Sequence, residues 1–449
     1  MSSISDAQFS EAEKKEADTT SSVDEIELKS APIESFISEK RAQNKQNSFV
    51  QIQESRLREF EAFLYWLDKI HVCSASDAQI VEFNDFLKNG DRYLTITEPH
   101  NGSEGTREIN LSDVSRHQIL TTLVDFYNYL QMDKGIISNN PAQQALRGFS
   151  DDEFDLSPPD RMRIEMDEMR EFLDWLDTPF ERAIILSLLK TGVRIGELLN
   201  EDLQCVHIGD GSGGTHPVYQ HILDQYDVSL RSEVRDKPDS VYIYSAFNEE
   251  TVIDGEERKQ GNKRKDDDGS VIPIDDELKT AIIEYLMMRS PPLEHKRTKT
   301  RIPLFTKPTS SGGLERLTYS SIRSQFGDHN TDSSGALAEY DWYKQGADTE
   351  DNVFMHYFRH YFTDNMKHNH GVYRGWMPTG VIAYIRGDVD KSAVVGSERS
   401  ESTARENTYS HSDWRNWALN VEAPYLNNIY KFGVYDETLP RQPPQEVQI

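Results

Sequence analysis

An acidic, proline-containing segment, GFSDDEFDLSPPD from Gly148 to Asp160, divides the chain into two parts. It lacks apolar periodicity, and its paired prolines oppose a continuous helix or strand. The chain has 449 residues, which is enough for two or three domains of about 150 residues each. We therefore predict a linker over 148–163, one folded domain at 31–147 and a second at 164–418.

Before the linker, apolar residues recur at three- and four-residue steps, as on one face of an amphipathic helix. The two stripes consist of Leu57, Phe60, Phe63, Leu64, Leu67 and Ile70, and of Ile119, Leu120, Leu123, Phe126 and Leu130. They predict the core of a small helical domain, with Asn140-Pro141 ending the second stretch. Residues 1–30 are rich in Ser, Glu and Asp, and are expected to form a disordered acidic tail.

After the linker, helix signals alternate with short strand signals. Thr178-Pro179-Phe180-Glu181 matches a capping box with proline at the first helical position, and Gly192 should end that helix. Strands are predicted at Val241–Tyr244 and Val271–Ile274, and helices near Leu278–Met288 and Phe354–Met366. The interval 290–350 is polar and shows no period. The predicted fold class is mainly α with a small β-sheet (α+β).

Three short segments of the second part carry side chains suited to phosphate chemistry. TGVRIGELLN contains Arg194, FMHYFRHYF contains His356, Arg359 and His360, and TARENTYSH contains Tyr409 and His411. An arginine binds phosphate through two N–H groups and stays charged at any working pH. A tyrosine hydroxyl can hold a phosphate covalently, and a histidine can exchange a proton near neutral pH.

In this order and spacing, the three segments resemble the signature of the tyrosine recombinase (phage integrase) family. TG-x-R-x-x-E is followed about 160 residues later by H-x-x-R-H, and about 50 residues further on by Tyr-x-His. The resemblance covers about 32–415. It implies a helical, SAM-like core-binding domain followed by a tyrosine-recombinase catalytic domain, with the two closing around DNA as a C-shaped clamp.

The resemblance also implies a role for each matching residue. Arg194 and Arg359 would clamp the scissile phosphate, and Tyr409 would be the nucleophile that forms a 3′-phosphotyrosine. His356 would be a proton shuttle or phosphate donor, and Glu197 would support the site. No metal, nucleotide or other cofactor is implied, because the phosphotyrosine conserves the energy of the broken bond.

The family also uses a general-acid lysine on a β-hairpin between the first two segments. RKQGNKRK at 258–265 resembles that hairpin. The matching position is Lys259, with Lys263 and Lys265 as rivals. Asp266-Asp267-Asp268 before the next apolar strand blurs the register.

Two positions depart from the family pattern. Phe358 replaces the usual Leu of H-x-L-R-H, which is a conservative apolar change. Arg386-Gly387-Asp388 stands where the family has Leu-Gly-His or Leu-Gly-Trp, so the carboxylate of Asp388 replaces a hydrogen-bond donor. A carboxylate beside a phosphate is unfavourable unless it is protonated or turned away. His411 is a candidate substitute donor.

Other interpretations of these residues remain open. His356 and His360 have the i, i+4 spacing of a zinc helix, but Tyr357 follows where that motif needs Glu. Tyr373 and Tyr384 are alternative nucleophiles. A non-catalytic DNA-binding relative and a type IB-like topoisomerase are the alternative functions. An acidic interaction scaffold would explain the N-terminal tail but not the ordered set of site residues.

The net charge of −28, from 77 acidic and 49 basic residues, argues by itself against a polyanionic partner. The acid is unevenly distributed, however. Residues 256–265 hold five basic and two acidic side chains, and residues 353–411 hold seven basic and six acidic side chains. We interpret the acidic remainder as an exterior suited to high salt, which predicts a halophilic host.

The predicted partners are double-stranded recombination sites, three further copies of the chain in a tetramer, and accessory DNA-bending factors. The role would be that of a mobile-element integrase or a Xer-like resolvase. Residues 419–449 would form a C-terminal tail able to dock on a neighbouring subunit. We expect a cytoplasmic protein, because the sequence has no membrane-length apolar run and no signal core. Cys73 and Cys205 are the only cysteines, which excludes a disulfide framework.

Overall fold

The computed structural model describes residues 31–43, 47–89, 95–97, 104–106, 111–150, 152–157, 161–289, 301–308, 314–327, 335–344, 351–368, 377–389 and 417–435. The chain forms two compact units, Met1–Pro158 and Pro159–Ile449. Their boundary lies inside the interval 148–163. The predicted acidic tail at 1–30 falls outside the described residues, as do Tyr373, Tyr409 and His411.

The described part of the first unit contains helices and one short hairpin. The helices are α1 (Pro32–Ala42), α2 (Asn47–Asp68), α3 (Asp77–Asn89), α4 (Asp113–Asn128) and α5 (Pro141–Gly148). The strands β1 (Thr95–Thr97) and β2 (Glu104–Thr106) pair in antiparallel fashion. A π-helical turn, Tyr129–Asp133, continues α4.

Both predicted apolar stripes line the core of this unit. Their buried members are Leu57, Phe60, Phe63, Leu64, Ile119, Leu120, Leu123, Phe126 and Leu130. Leu67 and Ile70 lie at the edge of the core and are partly buried. Asn140-Pro141 does not end the helical region: the Asn140 side chain accepts a hydrogen bond from the amide of Gln143, and Pro141 opens α5. Proline fits there because the first helical N–H needs no partner within the helix.

The second unit is also mainly helical. Its helices are α6 (Met166–Trp175), α7 (Pro179–Thr191), α8 (Ile195–Leu199), α9 (Pro217–Gln225), α10 (Ser232–Arg235), α11 (Asp276–Met288), α12 (Tyr319–Phe326), α13 (Ala336–Glu339), α14 (Met355–His368), α15 (Thr379–Arg386) and α16 (Ala423–Asn428). Its strands are β3 (Val206–His207), β4 (Ser240–Ile243), β5 (Val252–Ile253), β6 (Glu256–Glu257), β7 (Ser270–Pro273), β8 (Thr306–Pro308) and β9 (Leu314–Arg316). The predicted α+β class is confirmed.

The three-stranded sheet has the order β3-β4-β7 and is antiparallel throughout. In its register, Val241 lies opposite both Val206 and Ile272. The pairs β5-β6 and β8-β9 are separate two-stranded hairpins. The sequence located β4 and β7 to within one residue because each is a short β-branched run. It missed β8, β9, α12 and α13 within 290–350, because these elements are too short for a period to show.

Helix α7 lies at the centre of the second unit and begins as the capping box predicts. The Thr178 hydroxyl accepts from the amide of Glu181 and donates to its carboxylate. Residues along the whole helix are buried, and it packs against α11 and α14. It ends at Gly192, whose φ of 58° is left-handed. None of the described helices is both long and apolar enough to cross a membrane.

The C-terminal segment 417–435 is part of this core, so this part is not a separate tail, whereas 436–449 lie outside the described residues and docking on another subunit stays a prediction. Tyr425, Tyr430 and Phe432 are buried. The buried ammonium of Lys190 lies 2.5 Å from the carbonyl of Tyr430 and 2.8 Å from the carboxylate of Asp275. Burial of an unpaired ammonium would be costly, so the segment supplies a needed partner as well as apolar surface.

Candidate active site

The turn that carries Arg194 lies directly against α14. Gly192 closes α7 in a left-handed conformation, and a Cβ on it would lie 2.3 Å from Cδ1 of Phe362 on α14. Only glycine allows both the positive φ and this approach. The TG-x-R pattern therefore brings the first arginine to the helix that carries the second.

Arg194 is fixed by Glu197 in the first turn of α8. The buried Glu197 carboxylate accepts from the backbone amide of Arg194 at 3.1 Å and from its guanidinium Nη1, also at 3.1 Å. The guanidinium of Arg264 lies 3.6 Å from the same carboxylate. Glu197 thus orients Arg194 and leaves its Nη2 free to point elsewhere.

Arg359 is buried on α14 and joins three segments. Its Nη1 donates to the carbonyl oxygens of Gly192 at 2.6 Å and Arg386 at 2.7 Å. Burial, and then the charges of Arg194 and Arg386, lower the pKa of Arg359 to about 10. The group stays cationic near neutral pH, and its Nη2 points at the same place as that of Arg194.

The place where both arginines point is occupied by Asp388. One oxygen, Oδ1, accepts from Nη2 of Arg194 at 2.9 Å and from Nη2 of Arg359 at 2.6 Å. The other oxygen lies 3.2 Å from the guanidinium of Arg386. Asp388 is therefore neither remote from the arginines nor unpaired: it is the anion of a three-arginine cluster.

Two histidines lie beside this cluster on α14. The rings of His356 and His360 are in edge contact, with centroids 4.7 Å apart. Protein packed around each ring, followed by nearby arginine charges, lowers the pKa of both to about 4. Part of the His356 surface is exposed nevertheless. Both imidazoles are therefore neutral at physiological pH, and His356 is open to an incoming group.

The basic segment 258–265 packs beside the turn that carries Arg194, and its lysine side chains are exposed. Arg258 is buried against Asp202 at 2.9 Å, so that the adjacent Lys259 is exposed. Lys263 and Lys265 are exposed as well. None of the three lysine side chains hydrogen-bonds to another described residue. The amide of Lys265 donates to the carbonyl of Gly387, which places its backbone next to the turn that carries Asp388.

The alternative residues are less well placed. Tyr384 is buried, its hydroxyl accepts from the amide of Val271, and burial raises its pKa to about 12. Within the described ranges, no group of three or more metal-ligating side chains includes His356 and His360. Tyr409 and His411 lie outside those ranges, so their positions relative to the arginines stay predictions.

Comparison with known proteins agrees with this architecture. No family model matches the chain. A 101-residue stretch is 31% identical to tyrosine recombinase XerC from Caldanaerobacter subterraneus subsp. tengcongensis, covering 22% of this chain and 27% of XerC. The integrase of the Tn1549 transposon, solved with circular intermediate DNA, superposes with a TM-score of 0.51 and 15% identity, over 83% of this chain and 97% of that one. The same integrase in complex with transposon right-end DNA superposes with a TM-score of 0.51 and 15% identity, over 79% of this chain and 90% of that one.

The chain has the fold of a tyrosine recombinase. The predicted resemblance to that family is thus confirmed at the level of the fold. The sequence match spans about a quarter of the length of XerC. In this recombinase fold, the sequence missed two arginines at the site. Arg386 ends α15 and reaches Asp388, while Arg264 is buried and donates to the carbonyls of Tyr384 and Ile385. The signal for Arg386 was its place in the last turn of a helix just before the departure at Asp388.

Proposed function

We propose that this protein is a site-specific DNA recombinase that cleaves and rejoins DNA strands through a 3′-phosphotyrosine, without metal or ATP. The observation that carries the proposal is the convergence of Arg194 and Arg359 on one carboxylate oxygen, Oδ1 of Asp388. Two guanidinium groups that share one oxygen of a singly charged carboxylate form a binding site for a non-bridging oxygen of a phosphodiester. Such charge neutralisation is the main requirement of phosphoryl transfer.

In the proposed reaction, the phenolic oxygen of Tyr409 attacks the phosphorus and forms a Tyr–O–P bond to the 3′ end of the strand. The P–O5′ bond breaks, and the 5′ oxygen takes a proton from the general acid. Rejoining reverses these steps when a 5′ hydroxyl attacks the phosphotyrosine. One bond is formed for each bond broken, so no external energy source enters.

We propose that His356 moves a proton at the attacking or leaving oxygen. It is neutral in the free protein because its pKa is lowered to about 4. A neutral imidazole can accept the phenolic proton of Tyr409. A bound phosphate adds negative charge beside the ring and raises its pKa, which stabilises the proton once it has been accepted.

We propose that Tyr409 attacks a phosphate held by the arginines of its own chain. Trp417 is anchored by an indole N–H bond of 2.9 Å to the carbonyl of Val271. The amide of Val271 in turn binds the hydroxyl of Tyr384 on α15, the helix that ends at Arg386. Tyr409 lies eight positions before Trp417, and eight steps of extended chain span up to about 26–29 Å. This length of chain and the contacts that lead from Trp417 to the helix carrying Arg386 support attack in cis.

Double-stranded DNA is the proposed partner. The two Tn1549 integrase structures with this fold both contain DNA. The exposed lysines at 259, 263 and 265 give the hairpin a basic surface despite the acidic chain. Strand exchange between two sites needs four cleavages, so we propose a tetramer of this chain on two DNA sites, with the helical first unit contributing to DNA binding.

The test is covalent trapping on nicked DNA. A library of short duplexes with a random core carries a nick just 3′ of the variable region, so that the small released 5′-hydroxyl fragment diffuses away and rejoining fails. Wild-type protein should give an SDS-resistant protein–DNA adduct in which a defined core sequence is enriched, and Tyr409→Phe should give none. Tyr384→Phe is the matched control and should still form the adduct.

Two other outcomes would identify the alternative functions. Folded protein that enriches a DNA sequence without any adduct would be a non-catalytic binding relative. Relaxation of supercoiled plasmid by the wild type, with no enriched sequence, would be a type IB-like topoisomerase activity. Either outcome would overturn the proposal.

A further inference from the structure

The carboxylate of Asp388 imitates a phosphodiester in three respects. It carries one negative charge, it presents two oxygens, and it places one of them 2.9 Å and 2.6 Å from the Nη2 atoms of Arg194 and Arg359. Its other oxygen faces Arg386 at 3.2 Å. A phosphodiester in the same place would present one charge and two non-bridging oxygens to the same three guanidinium groups.

The backbone that carries Asp388 is held in a helix-ending turn, which makes this placement specific. Gly387 ends α15 at a φ of 74°, and the amide of Asp388 donates to the carbonyl of Ala383 at 2.9 Å. A Cβ on Gly387 would lie 2.8 Å from Cζ of Arg264, so the turn rests directly on that buried side chain. The position of Asp388 is therefore set by a helix-ending turn and not by a loose loop.

The side chain itself can leave. It is 30% exposed, and so is Arg194 at 29%, whereas Arg359 is 2% exposed. Rotation about two side-chain bonds moves the carboxylate toward solvent without moving the turn. Arg359 keeps its two carbonyl partners and Arg194 keeps Glu197, so both remain in place when the carboxylate departs.

We propose that Asp388 is a resident anion that fills the phosphate position of the arginine cluster, so that the scissile phosphate binds only by displacing it. The inference deepens the proposed function and rests on it for the identity of the phosphate. The exchange replaces one anion by another of equal charge, so the three arginines stay neutralised to the same extent throughout. In the absence of DNA, the carboxylate keeps the buried Arg359 paired.

Such a device sets a threshold for engagement. The apparent affinity for phosphate equals the intrinsic affinity multiplied by the fraction of time for which the position is open. Random phosphates along any DNA are then rejected unless other contacts hold the duplex in place. Loss of the resident charge should accordingly raise phosphate affinity and relax the dependence of cleavage on the correct site.

The test compares Asp388→Asn with Asp388→Glu and with the wild type, using inorganic phosphate as the probe in isothermal titration calorimetry. Asn keeps the size and removes the charge, so phosphate should bind roughly tenfold more tightly. Glu keeps the charge and should bind phosphate no more tightly than the wild type. Asp174→Asn is the matched control, since it removes an exposed carboxylate 3.9 Å from Arg170 and should leave phosphate affinity unchanged.

Equal or weaker phosphate binding by a folded Asp388→Asn variant would overturn the inference, as would the same change in the Asn and Glu variants. Thermal unfolding checks that each variant is folded. The Tyr409-dependent adduct is read separately on random nicked DNA. An adduct without the change in phosphate affinity would sink the inference and leave the proposed function standing. If phosphate affinity changes as expected but no adduct forms, the proposed function fails and the role of Asp388 as a resident anion stands.

Discussion

Arg359 donates from Nη1 to the carbonyl oxygen of Gly192 at 2.6 Å. This bond joins α14 to the end of α7, and it explains how two arginines 165 residues apart in sequence meet at one oxygen. The backbone of one catalytic segment is the anchor for the side chain of the other. A change at Gly192 should therefore affect both structure and catalysis.

Gly192→Ala should destabilise the protein and reduce cleavage together. A left-handed φ costs an alanine about 1–2 kcal/mol, and overpacking against Phe362 costs about 1–3 kcal/mol more. We expect the free energy of unfolding in urea to fall by about 2–5 kcal/mol, with a parallel loss of adduct.

Gly211→Ala separates the two contributions. Gly211 also has a positive φ, 82°, but a Cβ on it would meet nothing within 4 Å. Its substitution by alanine should lower the free energy of unfolding by about 1–2 kcal/mol, because only the backbone is strained. If both variants lose the same stability, the close approach to Phe362 is not the constraint.

Arg359→Lys should nearly abolish cleavage while it keeps the charge. A lysine ammonium cannot reach two carbonyls with one nitrogen and the phosphate with another, as the guanidinium does. We expect the rate of adduct formation to fall by about 10²- to 10³-fold, a loss typical of removing one transition-state donor.

The control for Arg359→Lys is Arg182→Lys. Arg182 also donates to two backbone carbonyls, those of Leu173 and Leu176, and its loss changes no contact of the arginine cluster. It should retain adduct formation near the wild-type rate. A comparable loss in both variants would point to a general effect on folding.

His356 should titrate far below the usual histidine range. Its native pKa is about 4, whereas an unfolded histidine has a pKa of about 6.5. Between these values, the unfolded chain binds more protons than the native state, so the free energy of unfolding falls as the pH drops from 6.5 to 4. His356→Asn should remove part of this slope in urea unfolding at several pH values. An unchanged slope, or an NMR titration of His356 near pH 6.5, would contradict the assignment.

The three exposed lysines can be distinguished by the chemistry of the leaving group. A 5′-phosphorothiolate linkage leaves as a thiolate, which needs no general acid. Substitution of the acid by Ala should therefore slow cleavage of normal DNA but not of the phosphorothiolate. The sequence predicts this rescue for Lys259→Ala, with Lys263→Ala and Lys265→Ala as controls. If only Lys265→Ala shows this rescue, Lys265 is the general acid. Its amide donates to the carbonyl of Gly387, which brings its backbone close to Asp388.

Local signals predicted the parts of the site that depend on local structure. The capping box at Thr178, the helix stop at Gly192 and the spacing of His356 and Arg359 are each set within a few residues, and the fold confirms the elements that carry them. The apolar stripes of the first unit predicted its core for the same reason.

The rest depends on pairings across the chain, to which a local pattern is blind. The charge of Asp388 suggested a mismatch with phosphate, but only the fold shows that three arginines surround it. Residues 417–435 are buried partly because the carbonyl of Tyr430 is a partner of the buried Lys190. No pattern in the sequence near 417 indicates a contact with a residue so far away in the chain. Likewise, Arg264 is buried although the adjacent Lys263 and Lys265 are exposed, because its guanidinium donates to the carbonyls of Tyr384 and Ile385 at the end of α15.

Peptide mapping of the trapped adduct measures most directly whether Tyr409 is the nucleophile. After digestion of the protein and the DNA, mass spectrometry locates the residue that carries the nucleotide remnant. We predict a 3′-phosphodeoxynucleotide on Tyr409, absent from Tyr409→Phe and much reduced in Arg359→Lys. A remnant on another residue, or no adduct from folded protein that binds the enriched DNA, would contradict it.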